Sequence, residues 1–358
     1  MSPFAHLDQL AQPSIAIPPI VIRRIETFLY RAKVSRPVVS TITTFHERVA
    51  PLLLGKSFAS PAEAWRLFTQ KTYAMAVQTG EHGPFSAAIS GIDCALWDLC
   101  ARRAGVPLHR LLAAPASAGA PALPAYASGL NPAGGPDEVE AARAAGYRAF
   151  KQKIGFGDAI DLANLSRIRS GMRSGEALRV DVNQAWNLQE ALRVAPLLKQ
   201  FDLAWVEEPL LADRPAADWK QCAQAFSSVL AGGENLMGGE FDEQSEWLGV
   251  IQPDVGKWGG ISANWAVAQA VRARGKRYCP HWLAAGVGLL ASAHLLAAVG
   301  GDGLLEVDFN ESALREVLGQ PFPALVDGRF QLSAAPGLGV VPDLAQAAQW
   351  LQQHEESV

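Results

Sequence analysis

From about residue 122 the chain alternates between two hydrophobic patterns. Short runs rich in β-branched and aromatic residues have the length and apolar density of buried strands. They are LPAYASG (123–129), YRAFKQKIG (147–155), ALRVDVN (177–183), LAWVEEPL (203–210), SVLAGGEN (228–235), GVIQPDVG (249–256), KRYCPHW (276–282) and GLLEVDF (303–309). Between them lie stretches with apolar residues at helical spacing: DEVEAARAAG, DAIDLANLSRIRSGM, LQEALRVAPLLKQF, a segment from about Pro215, EFDEQSEWLG, SANWAVAQAVRARG and VGLLASAHLLAAVG. Eight strands alternating with seven helices predict an α/β barrel of parallel strands wrapped by helices. The competing arrangement, an open doubly wound sheet, ordinarily carries a Gly-rich phosphate loop after its first strand, and LPAYASGLN is not one.

The pattern before residue 115 is different. IVIRRIETFLY and VVSTITT read as strands, and VVSTITT runs almost directly into the helix-like FHERVAPLLLG. A helix begins at SPAEAWRLF, with Ser60 as N-cap and Pro61 at the first position. A second, SAAISGIDCALWDLCARRAG, stops at Gly105. The Ala-, Pro- and Gly-rich stretch 113–126 reads as an interdomain linker. The expected organisation is a flexible leader over 1–19, an α+β domain with a shortened meander over 20–115 and a barrel over 116–312. A C-terminal segment over 313–358 turns at Asp327-Gly328 and returns to the first domain.

Composition narrows the function classes. A 358-residue chain that is 49% hydrophobic and 18% charged builds a large core and is not a disordered chain. A net charge of −4 gives no reason to expect nucleic acid, and no apolar run is long enough for a membrane span. Cys94, Cys100, Cys222 and Cys279 form no CxxC pair and read as free thiols in a reducing cytoplasm.

The candidate chemistry lies at the C-terminal ends of the strands, where barrels of this kind hold their sites. Strand two ends in Lys151 and Lys153, which share a face because they stand two apart. Strands three, four and five offer Asp181, Glu207 and Glu234, strand six Asp254, strand seven His281, strand eight Glu306 and Asp308. Three carboxylates converging in one mouth repel unless a cation sits between them, and hard oxygen ligands in that number favour Mg²⁺. In WVEEP a regular strand turns only one glutamate inward. Glu207 is therefore the expected ligand, and Glu208 is expected at the strand–helix interface. Asn183 shares a face with Asp181, to orient that ligand or touch substrate. Asp254 and His281 make a carboxylate–imidazole pair suited to a general base. His294, in an apolar helical run, reads as a core or interface residue.

Together KQK (151–153), VDVNQAW (180–186), WVEEPL (205–210), GGEN (232–235), QPDVGKWGG (252–260), PHW (280–282) and LLEVD (304–308) resemble the enolase superfamily, most closely its mandelate racemase branch. The helix SGIDCALWDLCARRAGVPLHRLL (90–112) resembles the segment that ends that family's capping domain. The resemblance implies a (β/α)₇β barrel of the TIM type with an N-terminal capping domain, and Mg²⁺ on Asp181, Glu207 and Glu234. It implies Lys153 as one acid/base, with Lys151 holding the substrate carboxylate and depressing the Lys153 pKa. It also implies the Asp254–His281 dyad as the opposed acid/base, Glu306 as an electrophile and Lys257 near the substrate. The expected reaction is removal of the proton alpha to the carboxylate of a hydroxy or sugar acid, through an enediolate stabilised by the metal. Racemisation or epimerisation is the first reading and acid-sugar dehydration the second. Cycloisomerisation ranks below both, and the reading of another class is a non-catalytic barrel subunit. The relatives' habit implies a homo-oligomer.

Overall fold

The computed structural model describes residues 10–30, 49–113 and 121–357. Its centre is an eight-stranded barrel: β1 (Ala122–Leu130), β2 (Ala149–Lys153), β3 (Ala177–Asp181), β4 (Val206–Glu207), β5 (Leu230–Gly232), β6 (Val250–Ile251), β7 (Arg277–Tyr278) and β8 (Leu305–Asp308). Seven helices follow the first seven strands: α1 (Gly135–Ala144), α2 (Asp158–Ser170), α3 (Leu188–Leu198), α4 (Ala216–Ala225), α5 (Glu240–Gln244), α6 (Gly260–Ala273) and α7 (Gly286–Val299). Parallel ladders join β7 through β1 in sequence order, and β8 pairs with β1. Between β7 and β8 the Leu304 N–H donates to Cys279 Sγ at 3.3 Å.

β4, β6 and β7 are shorter than their apolar runs suggest. Pro209, Pro253 and Pro280 stand two residues past their ends, and a proline offers no N–H to a ladder. EFDEQSEWLG likewise forms only one short helix. Period-two alternation sends Tyr126, Ala149, Trp205, Ala231, Val250 and Cys279 into the barrel interior, where they pack together. Arg179 is buried among them, its guanidinium 4.4 Å from the Trp205 ring centre and 5.5 Å from that of Tyr126. This layer is the floor of the site. Register does the rest: Lys153 pairs with Asp181 and Asp181 with Glu207, so three charged ends stand at one height.

The cap is built on the helix pair Pro61–Thr79 and His82–Arg103. Ser60 Oγ accepts from the Glu63 N–H at 3.2 Å while Glu63 reaches back to the Ala59 N–H at 2.6 Å, a capping-box arrangement displaced by one residue. The expected shortening of the meander falls on residues 31–48, outside the described residues. The described part of the expected leader is anchored at its start, though most of it is exposed: Leu10 and Ala11 are buried, and the Ser14 N–H donates to the Leu111 carbonyl at 2.6 Å. The Ala11 N–H donates to the Ser262 carbonyl at 3.3 Å, a second tie for this segment. The C-terminal segment divides its contacts. Leu325–Val326 and Arg329–Gln331 form a hairpin around Asp327-Gly328, both with positive φ, and the second strand pairs with the start of β1. The last strand, Leu351–Ser357, pairs with Ile25–Tyr30 of the cap.

Candidate active site

Lys151 Nζ is fully buried at the centre of the mouth. It is paired with Glu207, lies 2.6 Å from Glu306 Oε1 and 3.4 Å from Asp181 Oδ2. Burial alone would push this ammonium down, but Glu207 and Glu306 hold it well above the ordinary lysine value. Lys153, at the rim, bonds Asp181 Oδ2 at 2.5 Å. Burial and Lys151 push Lys153 down, as expected from two neighbouring ammonium groups, yet Asp181 outweighs them and the net shift is upward. Lys151 acts in the expected direction, but while Asp181 is in contact the net depression is not reached, because a carboxylate in contact acts more strongly than a like charge farther off.

The carboxylates are held from several strands. Asp181 Oδ1 accepts from the Asn183 N–H at 2.8 Å, so Asn183 orients Asp181 through its backbone while its side chain is exposed. Glu207 Oε2 accepts from Trp205 Nε1 at 3.0 Å and Gln252 Nε2 at 2.7 Å. Burial raises Glu207 to about 7. Glu234 Oε2 lies 2.9 Å from His281 Nε2, and His281 Nδ1 lies 2.7 Å from Asp254 Oδ2, so the predicted dyad is formed. Against the effect of burial, Glu234, Glu306 and the Asp254 bond raise His281 well above the usual imidazole range. Asp254 Oδ1 in turn accepts the N–H groups of Gly256 and Lys257 at 2.8 and 2.7 Å. Lys257 Nζ donates to Asn235 Oδ1 at 2.5 Å and stands 3.5 Å from Glu234 Oε1. Glu306 takes the Ser128 hydroxyl at 2.5 Å and the Trp282 N–H at 3.2 Å. The chain thus gathers Lys151, Lys153, Asp181, Glu207, Glu234, Asp254, Lys257, His281 and Glu306 at one end of the barrel. Asp308 accepts from the Asn310 N–H and side-chain amide instead.

Glu208 departs from expectation. The strand ends at Glu207 and Glu208 takes a left-handed φ of 41°, so alternation no longer sets its direction. Its Oε1 accepts from Asn235 Nδ2 at 2.9 Å, and burial followed by the Glu234 charge raises it to about 8. It belongs to the rim network, not simply to the helix interface. Ser128, Trp205 and Gln252 were not assigned from sequence. Their signal was period-two placement on inward faces, but nothing local shows whom they bond. His294 is buried as expected, and its Nδ1 accepts the His109 N–H at 3.2 Å.

Asp181, Glu207 and Glu234 suit Mg²⁺ by type, being hard oxygen donors on consecutive strands. Among the described residues, however, no three His, Cys, Asp or Glu side chains already close around a single point. The carboxylates lean instead on Lys151, Lys153 and His281. The donors fit the ion, and ligation would exchange these cations for it.

Known proteins resemble this chain in sequence and fold. Residues 30–113 match the family profile described as the mandelate racemase / muconate lactonizing enzyme N-terminal domain, and residues 136–347 the enolase C-terminal domain-like profile. The crystal structure of a mandelate racemase/muconate lactonizing enzyme from Bordetella bronchiseptica is similar with a TM-score of 0.81 and 48% identity, over 86% of this chain and 85% of that one. A racemase from Streptomyces coelicolor, solved with bound magnesium, is similar with a TM-score of 0.75 and 28% identity, over 87% of this chain and 84% of that one. The L-talarate/galactarate dehydratase of Salmonella typhimurium is 31% identical over 86% of this chain and 74% of its own. Matched in both domains, in order and with the strand-end residues gathered in one mouth, this chain belongs to the mandelate racemase / muconate lactonizing enzyme family of the enolase superfamily.

Proposed function

We propose that this protein removes the proton alpha to the carboxylate of a sugar acid, using Lys153 and the Asp254–His281 dyad as two acid/base groups. The observation that carries the reading is their placement: Lys153 stands on β2 against Asp181, and His281 follows β7 against Glu234, on either side of Glu306. Asp181, Glu207 and Glu234 would hold Mg²⁺, which when bound supplies positive charge for the developing oxyanion. Lys151, buried and cationic, faces the same charge from the centre of the mouth. Lys153 acts on one face: paired with Asp181 it is held as an ammonium, and with Asp181 turned to Mg²⁺ the neighbouring Lys151 would favour the neutral amine that takes a proton. His281 is held by Asp254 at Nδ1, so Nε2 is the nitrogen that gives or takes a proton on the other face. Asn183 and Lys257 flank the mouth as substrate contacts, and the unpaired buried cysteines support a cytoplasmic setting.

Return of a proton to the opposite face gives the epimer. The similarity to a sugar-acid dehydratase favours a second outcome, in which His281 protonates a departing β-hydroxyl and the product is a 2-keto-3-deoxy acid. The test is solvent deuterium exchange at the α-carbon across a panel of sugar acids with Mg²⁺. Exchange is expected for at least one acid, and Lys153→Ala and His281→Asn should each slow it by about 10²-fold or more. Product analysis separates epimer from keto acid. A panel with no exchange, with both variants binding Mg²⁺ and acids like the parent, would return the protein to the non-catalytic reading.

A further inference from the structure

Cap and barrel meet at Ser262, in the first turn of α6. Its N–H donates to Asp93 Oδ2 at 2.8 Å and its hydroxyl to Asp93 Oδ1 at 2.5 Å. Trp97 Nε1 donates to the same hydroxyl at 2.9 Å, and the Ala11 N–H to the Ser262 carbonyl at 3.3 Å. The Gly260 N–H donates to Ser90 Oγ at 3.0 Å. Ser90 and Asp93 stand three apart on the cap helix His82–Arg103 and so share a face. The residue before α6, Gly259, has no side chain to cap it, and the other domain satisfies these helix N–H groups instead. Gly260 has a φ of +62°, and a Cβ there would lie 2.6 Å from Asp93 Oδ2, so glycine permits the carboxylate's approach.

A hydrogen-bonded path runs from this joint to the site. Asn264 Nδ2 donates to the carbonyls of Gly260 and Trp258, each at 2.7 Å. The Trp258 indole N–H donates to the Glu234 carbonyl at 2.8 Å, and the Trp258 N–H to the Asp254 carbonyl at 3.1 Å. We propose that Asp93 is a positioning residue for Glu234: capping α6 from the cap domain, it fixes Gly260, Asn264 and Trp258, and Trp258 fixes the backbone that carries Glu234. The consequence for the reaction rests on the reading of Glu234 as a metal ligand; the positioning itself does not.

The experiment is hydrogen exchange by mass spectrometry on the full chain without added metal. Asp93→Ala should speed amide exchange over residues 233–241 by about five- to tenfold, the loss of roughly one buried hydrogen bond. Trp258→Phe, which deletes only the indole N–H, should do the same, and the double variant should add little to either. Asp93→Asn should keep the parent's protection, because a carboxamide oxygen accepts the Ser262 N–H and its amide donates to the Ser262 hydroxyl. Residues 149–153 on β2 should not change in any of them, which separates positioning from general loosening. Parent-like exchange over 233–241 in Asp93→Ala, or simple additivity with Trp258→Phe, overturns the proposal. Should Asp93→Ala not fold, Ser90→Ala removes the Gly260 bond, together with the Ser90 hydroxyl's bond to the Ser86 carbonyl within its own helix, and carries the same comparison. Mg²⁺ titration calorimetry then reads the consequence, with several-fold weaker binding in Asp93→Ala. A parent that binds no Mg²⁺ but shows the expected exchange pattern removes the metal reading and leaves the positioning intact.

Discussion

Lys151 carries the densest electrostatics of any single residue in the site. It is an ammonium with no exposure, set against Glu207, Glu306 and Asp181. Removing it would take the contacting cation from buried Glu207 and Glu306, while Asp181 keeps Lys153. Lys151→Met, which keeps much of the volume, is expected to lower unfolding free energy by about 3–5 kcal/mol, as for other buried pairs cut on one side. Denaturant titration in the presence of a chelator measures this directly, and a loss under 1 kcal/mol would mean that the carboxylates find other partners. The lysine pair was legible in the sequence because two residues apart on a strand means one face. The partners of Glu207 were not. Trp205 stands two residues before it, but Gln252 arrives from just past β6, and only the closed barrel brings the two together.

Elements show the same division. The strands were visible as apolar runs, and the prolines that stop β4, β6 and β7 were visible too, although the shortening they impose emerges only in the ladders. Helix α7 shows how packing reverses a local rule. Replacing Gly288 with alanine should favour a helix by about 1 kcal/mol on propensity alone. Here a Cβ at Gly288 would lie 2.1 Å from the Trp282 ring. The half-buried ring is held from two sides. Its other edge lies where a Cβ on Gly256 would come within 2.3 Å, and its Nε1 donates to the Ala285 carbonyl at 2.9 Å. Gly288→Ala is therefore expected to destabilise by roughly 1–3 kcal/mol. Trp282→Leu in the same chain should recover part of that loss, and thermal melting of the four-member cycle reads the coupling. Equal losses with and without Trp282 would show that the ring is not the obstacle.

At the scale of the whole molecule, the two domains are joined by buried polar contacts at Ser262 and at the His109–His294 pair, and by the strand Leu351–Ser357. Burial raises Asp93 from 3.8 to about 7, its bonds to Ser262 offsetting only part of the effect. Between about pH 4 and 7 the folded protein then holds a proton that the unfolded chain has released, so this group makes stability fall as pH rises through that window. Asp93→Asn removes the titration and keeps the hydrogen bonds. Its melting temperature should exceed the parent's by several degrees at pH 8, and the gap should narrow toward pH 5. A gap independent of pH would place the ionisation elsewhere.

Read alone, the chain determined the barrel, the order of its strands and the charged residue at nearly every strand end. These depend on alternation and spacing, which are local and survive without coordinates. Only the tertiary structure decided that Asp181 outweighs Lys151 in setting the Lys153 charge, that Glu208 turns to Asn235, and that the cap supplies the N-cap of α6. Each of these is a competition among groups far apart in sequence. Distance and burial settle such competitions, and neither is written in residue order.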